Sequence, residues 1–124
     1  MMLQENLHSL LNDASITALV SAYGAYEAIF FCHLVPKDLA DSATSINYYY
    51  ETEGMRGEYQ HVAYLINCRA LTEFAAITLQ QAVFAVLHRK TSGNYYICEI
   101  LEVIPPADES DNYNAPIRAI IKGR

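Results

Sequence analysis

The side chains best equipped for chemistry are few and scattered. The 124-residue chain has four histidines (His8, His33, His61, His88) and three cysteines (Cys32, Cys68, Cys98). Cys32 and His33 are adjacent, so on a strand they point to opposite faces and cannot easily share a metal. No CxxC, HxxxH or HExxH pattern occurs, and no spaced Cys/His quartet, so no metal ligands are assigned. His61, Asn67 and Cys68 would form a cysteine-hydrolase set if base and nucleophile came within hydrogen-bond reach. The spacing of seven residues places His61 and Cys68 on opposite faces of one strand instead. Cys68 shares its face with Val62, Tyr64 and Ile66, which predicts a core thiol. Glu51, Glu53 and Glu58 cluster around Gly54 and Gly57. Carboxylates there superficially suit acid/base or Mg²⁺ work, but a solvated flexible loop explains them more simply. The glycines match neither GxGxxG nor a Walker pattern, so no phosphate cradle follows. The chain therefore reads as a non-enzyme, with no catalytic, cofactor-binding or metal-ligating residues.

The elements that carry these residues follow from periodicity. Leu3, Leu7, Leu10 and Leu11 mark a short amphipathic helix, and Asp13 or Ser15 caps a further short turn through Ile16, Leu19 and Val20. Residues 26–34 read as a strand stopped by Pro36, followed by a polar loop with Asp38 and Asp41. A second strand covers 46–50, a loop 51–58 and a long strand 59–70. Thr72 then caps a helix to about residue 90. Glu73 stands in its first turn and Arg89 and Lys90 in its last, complementing the helix dipole. Strands at 95–104 and 116–122 flank a polar loop with Asp108, Glu109 and Asp111. Pro116 is tolerable only at the start of its strand or on an edge. The order α-β-β-β-α-β-β gives an α+β fold, a mainly antiparallel sheet with one long helix packed on one face.

Composition sets the outer limits. Length fits one domain over 1–124, large enough to fold without disulfides or metals. Hydrophobic residues make up 52%, charged residues 18%, and mean hydropathy is +0.06, which excludes a disordered chain. The net charge of −6 argues against a dedicated nucleic-acid binder. Residues 1–62 carry two basic and eight acidic side chains, and residues 63–124 carry six of each, so the acidity belongs to the first half. Such dipolar layouts suit molecules that stack head to tail. An odd number of cysteines in apolar runs predicts free buried thiols in a reducing cytoplasm. There is no signal-peptide pattern, and the longest apolar stretch is far too short to span a bilayer.

Two features point outward from the monomer. On the helix, Ala75, Leu79, Ala82, Val83 and Val86 form a stripe expected to face the sheet. A second row, Phe74, Ile77, Gln81, Phe84 and His88, lies on the opposite flank. Either the N-terminal helices cover it or another subunit does. The strand 95–104 is apolar on both faces, with Tyr95 and Tyr96 at its start, and normally needs a layer on each side. Ten tyrosines and no tryptophan complete the picture of a homo-oligomer with aromatic-rich interfaces. The run Tyr48-Tyr49-Tyr50 is a contact candidate or an ordinary strand with one or two rings inward.

This arrangement resembles the tail-completion, or tail-terminator, proteins of long-tailed bacteriophages and prophages, across nearly the whole chain. The parts are the Leu-rich opening helix with Ile16-Thr17-Ala18-Leu19-Val20, the strand Tyr26-Glu27-Ala28-Ile29-Phe30, and Ile46-Asn47-Tyr48-Tyr49-Tyr50 after a Pro-bearing loop. Val62-Ala63-Tyr64-Leu65-Ile66-Asn67-Cys68-Arg69-Ala70, the helix and two closing strands follow. The family usually has a proline just before its second strand, where this chain has Ser45. The resemblance implies a structural virion protein forming a hexameric ring at the head-proximal end of a tail tube. Such a ring stops tube growth and joins the tail to the neck. Its partners would be itself, the tail tube protein and a neck or head-completion protein, in the virion and, during assembly, in the host cytoplasm. DNA would pass through without specific binding, and no membrane or cofactor would be involved. Phe74, Ile77, Phe84, Tyr95 and Tyr96 would then form the subunit interface. Glu51, Glu53 and Glu58 would line the lumen or the tube-facing rim, where net acidity keeps DNA sliding. The competing class is a small cytoplasmic ligand-binding or regulatory α+β domain acting as a dimer, which predicts a closed Tyr-lined pocket.

Overall fold

The computed structural model describes residues 3–20, 22–23, 26–27, 29–31, 44–56, 59–92, 95–109 and 112–123. The elements are α1 (Leu3–Leu11), α2 (Ala14–Thr17), β1 (Ala22–Tyr23), β2 (Tyr26–Glu27), β3 (Ile29–Phe31), β4 (Ser45–Arg56) and β5 (Tyr59–Ala70). They continue with α3 (Glu73–Leu87), β6 (Lys90–Ser92), β7 (Tyr95–Val103), β8 (Ala107–Asp108), β9 (Tyr113–Asn114) and β10 (Ile117–Gly123). The expected α+β class holds, with one main helix against a mainly antiparallel sheet.

The principal sheet runs β3-β4-β5-β10-β7-β6, and among the described residues only β3 and β4 pair in parallel. β10, last in sequence, lies at the centre, between β5 and β7. Pro116 immediately precedes it, so the proline's missing N–H falls outside the ladder. The β1–β2 pair forms a separate small ladder.

Strand alternation separates two faces. Ile46 and Tyr48 of β4, Val62, Tyr64, Ile66 and Cys68 of β5, and Ile117, Ala119 and Ile121 of β10 are all buried in one core. Leu79, Val83 and Leu87 of α3 join it, together with Leu7 and Leu11 of α1 and Ile16 of α2. The three helices among the described residues therefore cover the same face. Each of these fully buried aliphatic side chains is worth about 1.5–3 kcal/mol of transfer free energy. The caps of α2 and α3 behave as the sequence predicts. The Thr72 hydroxyl accepts from the Ala75 N–H at 3.1 Å. Asp13 accepts from the Ser15 N–H at 3.0 Å and from its hydroxyl at 2.7 Å. These bonds, the backbone one foremost, hold the Asp13 carboxyl below the ordinary carboxylate range.

Four expectations are corrected. Segment 51–58 is not a loop through Arg56. β4 continues to that residue, in register with β5 from Ser45↔Arg69 to Arg56↔Tyr59. Cross-strand pairing with the β-rich 59–64 overrides the weak strand propensity of Glu51, Glu53 and Gly54. The buried stripe of α3 is Ala76, Leu79, Gln80, Val83 and Leu87, rotated by roughly 70° from the expected one at about 100° per residue. A buried glutamine is invisible to a count of apolar positions. α3 ends at Leu87, so Arg89 and Lys90 lie beyond it: Arg89 has φ 60° and Lys90 opens β6. The polar loop after Pro106 contains the β8–β9 ladder, and β9 pairs with the end of β5. Two-residue strands have no period to detect.

Candidate assembly surfaces

The residues named for chemistry are kept apart. Cys68 and Cys98 are free, buried thiols, and burial pushes both up to about 12, so they stay protonated and unreactive. His61 is half-buried on the opposite face of β5 from Cys68, so the hydrolase geometry does not form. His8 Nδ1 lies 3.0 Å from the Tyr48 hydroxyl, and His88 stacks on Phe84 with centroids 4.8 Å apart. Cys32 and His33 fall outside the described residues. Among the described residues no group of three or more His, Cys, Asp or Glu could hold a metal. No helix of the described residues is long and apolar enough to cross a membrane.

The tyrosine run splits between the faces. The Tyr48 ring is buried and meets Tyr64 edge-on at 6.2 Å, while Tyr50 meets the same ring at 6.4 Å and remains partly exposed. Two of the three rings thus turn toward the helix-covered face, and desolvation pushes the Tyr48 hydroxyl to about 12.

The other face of the sheet carries ion pairs, organised by two β-bulges. Glu51 is the extra residue where β4 passes from Tyr50↔Tyr64 to Thr52↔Ala63. Leu101 is the extra residue where β7 passes from Glu102↔Arg118 to Ile100↔Ala119. Bulges re-aim side chains, and here they flank one arginine. Arg118 Nε lies 3.0 Å from Glu51 Oε1, and Arg118 Nη1 bonds Glu102 Oε1. These hydrogen bonds, Glu51's first, raise the affinity of the guanidinium for its proton. Lys122 faces Glu99 at 3.9 Å. Glu51 is therefore neutralised by a residue 67 positions away, which halves-of-the-sequence arithmetic could not reveal. Glu53 lies on β4 opposite Val62, and Glu58 is outside the described residues.

One end of the sheet holds a polar network. Arg69 Nε donates to Glu109 Oε1 at 3.1 Å, Arg69 Nη1 donates to Asn47 Oδ1, and Asn114 Nδ2 donates to Asn67 Oδ1 at 2.9 Å. Gln80 Nε2 donates to the carbonyls of Ile104 and Pro116, both at 2.7 Å. Together these contacts tie the 104–116 excursion to β5 and α3. Sequence reading missed Gln80 and Arg118. For each, a polar residue inside an apolar run was the only available signal.

The second row of α3 divides. Phe74 is 81% exposed, the most exposed large apolar side chain among the described residues, and Leu71 beside it is 50% exposed. Ile77 is half-buried, and Phe84 is half-buried against the core. Tyr95 and Tyr96 open β7, with Tyr95 paired to Ser92. A lone exposed Leu needs no explanation, but a Phe this exposed beside a second apolar residue does.

No protein-family model and no curated protein sequence matches the chain. A chain within a solved structure described as the "Virion of native gene transfer agent (GTA) particle" shares the fold, with a TM-score of 0.61 and 18% identity. The similarity covers 94% of this chain and 92% of that one.

Proposed function

We propose that this chain is a structural virion protein, a tail-terminator or tail-completion subunit that forms a ring at the head-proximal end of a phage-type tail tube. The observation that carries the proposal is the nearly complete two-way fold similarity to a chain of a gene transfer agent virion. Coverage of 94% and 92% leaves little of either chain outside the shared architecture. Fold alone does not determine function, so the surface must contribute as well.

Here the surface favours contacts over chemistry. Cys68 and Cys98 are buried and protonated, His61 and Cys68 are split across a strand, and the exposed large apolar residues include Leu71 and Phe74 at the start of α3 and Leu101 and Val103 on β7. Ring closure needs heterologous contacts between different patches of one surface. In this reading Phe74, Ile77 and Phe84 belong to the subunit contact, with Tyr95 and Tyr96. The 51–58 segment faces the lumen or the tube rim. Since Arg118 balances Glu51, the charge that repels DNA there comes from Glu53 and Glu58.

The test is light-scattering mass measurement with negative-stain imaging, on the protein alone and mixed with tail-tube protein. Rings that cap tubes and limit their length are the expected result. A strict monomer or compact dimer at every concentration, with no ring beside tube protein, overturns the proposal.

A further inference from the structure

The two ends of α3 differ in a complementary way. At its start, Leu71 and Phe74 are exposed within a single turn, and the exposed Glu73 lies between them. Asp108, also exposed, joins the same end through the register Asp108↔Tyr113 and Tyr113↔Ala70, Ala70 being the residue before Leu71. This end is an apolar turn rimmed by carboxylates. At the other end, the exposed His88 ring stacks on Phe84 at 4.8 Å and 16°. Arg89 and Lys90 follow, both exposed. This end is an aromatic ledge rimmed by cations.

The two ends cannot meet within one molecule. A helix of 15 residues holds them about 22 Å apart at 1.5 Å per residue. Arg89 also sits at φ 60°, the left-handed region where a glycine would avoid the Cβ penalty. A long cation therefore occupies a position that backbone geometry alone would give to glycine. Of the carboxylates near the basic end, Asp13 lies in electrostatic reach of Lys90 and offsets part of its charge. Glu99 faces Lys122 on the sheet.

We propose that the Leu71–Phe74 turn is a docking surface for a second copy of this chain, received by the Phe84–His88 ledge and the Arg89–Lys90 turn of its neighbour. Phe74 packs beside the stacked rings, and Glu73 and Asp108 face the cations. The contact is heterologous, so each copy keeps one free head and one free tail, and repetition yields a ring or an open filament. The inference rests on the assembly reading above and adds which two patches make the contact.

The experiment uses the full chain and sedimentation velocity over a concentration series. Two variants are compared with the parent: Phe74→Glu, and Arg89→Glu combined with Lys90→Glu. All three sites are exposed, and circular dichroism verifies that each variant is folded. Should either fail that check, Phe74→Ala and Lys90→Gln replace them. Each variant alone is expected to associate at least ~tenfold more weakly than the parent, Phe74→Glu through loss of the aromatic contact and the double variant through like-charge repulsion from Glu73 and Asp108. Equimolar mixing is expected to yield a dimer that grows no further, because one intact head meets one intact tail. Assembly of either variant at the parent's affinity overturns the inference, as does a mixture that stays monomeric. If the parent forms rings and both variants do too, only this inference falls. If the parent never assembles, the assembly reading falls with it.

Discussion

Leu65 and Ile66 are consecutive on β5 and meet opposite environments. Ile66 is fully buried beneath the helices, among Tyr48, Tyr64, Leu79 and Ile117 in one core cluster. Leu65 is half-buried on the other face, in register with Tyr49 on one side and Arg118 on the other. The helix-covered face excludes water with aliphatic and aromatic side chains. The opposite face is tied across strands by Arg118 with Glu51 and Glu102, and by Lys122 with Glu99. Burial of apolar area dominates folding free energy, whereas exposed ion pairs contribute little because water and salt screen them. Stability should therefore concentrate on one face, leaving the other face and the exposed ends of α3 freer to serve contacts.

The contrast is broken or sharpened most strongly by truncating the two neighbours. Ile66→Ala should cost about 2–5 kcal/mol, read from urea denaturation midpoints. Leu65→Ala should cost about 1 kcal/mol or less. Equal losses would mean that the two faces contribute equally to stability.

Alkaline titration probes the covered face as a unit. Cys68, Cys98 and Tyr48 are all pushed up to about 12 in the fold, from 9.0 for the thiols and 10.0 for the phenol. A raised pKa means that the folded state holds the proton more tightly than the unfolded chain. This contribution is complete below the unfolded values and is lost as the pH climbs through about 12. Denaturation midpoints should stay level up to about pH 9 and then fall steeply. Labelling of Cys68 and Cys98 should track unfolding rather than pH alone. A folded protein in which Cys68 and Cys98 label rapidly at pH 8 would contradict the burial.

Gln80 lies at the border between covered and open regions. Gln80→Leu removes the donor to the Ile104 and Pro116 carbonyls, and the Pro116 carbonyl keeps a second bond, from the Ile104 N–H. The expected loss is about 1–3 kcal/mol. Hydrogen exchange should show the 104–116 excursion opening before β5 does.

Arg118→Gln should have the smallest effect. It should lower the midpoint slightly at low salt, and the difference should vanish at high salt as screening replaces the ion pairs. A large, salt-independent loss would place Arg118 among the structural determinants and remove the distinction between the faces.

How much was legible in the sequence can be seen element by element. The alternation through 62–68 identified the buried face of β5 residue by residue, because a period of two leaves one choice of face once the apolar set is known. The Thr72 cap and the helix after it were equally plain, since a hydroxyl before an apolar-periodic run has one common structural use. Phe74 stood out on the polar flank of α3 and is exposed. The sites that were missed depend on distant partners. Glu51 looked like loop acidity because its strand is held by pairing with β5 and its charge by Arg118. Gln80 drew no reading because its two carbonyl partners lie 24 and 36 residues away.

By itself, the sequence determined the acidity, the apolar surplus and the alternation that makes an α+β sheet with one dominant helix. Those are local or additive properties, set by residue type and by the periods of strand and helix. Tertiary structure decided that β10 enters the middle of the sheet, that Glu51 is neutralised, and that Asp108 joins Glu73 at the start of α3. Each depends on residues far apart in the chain reaching hydrogen-bonding or charge-pairing distance, and a linear pattern carries no measure of that distance.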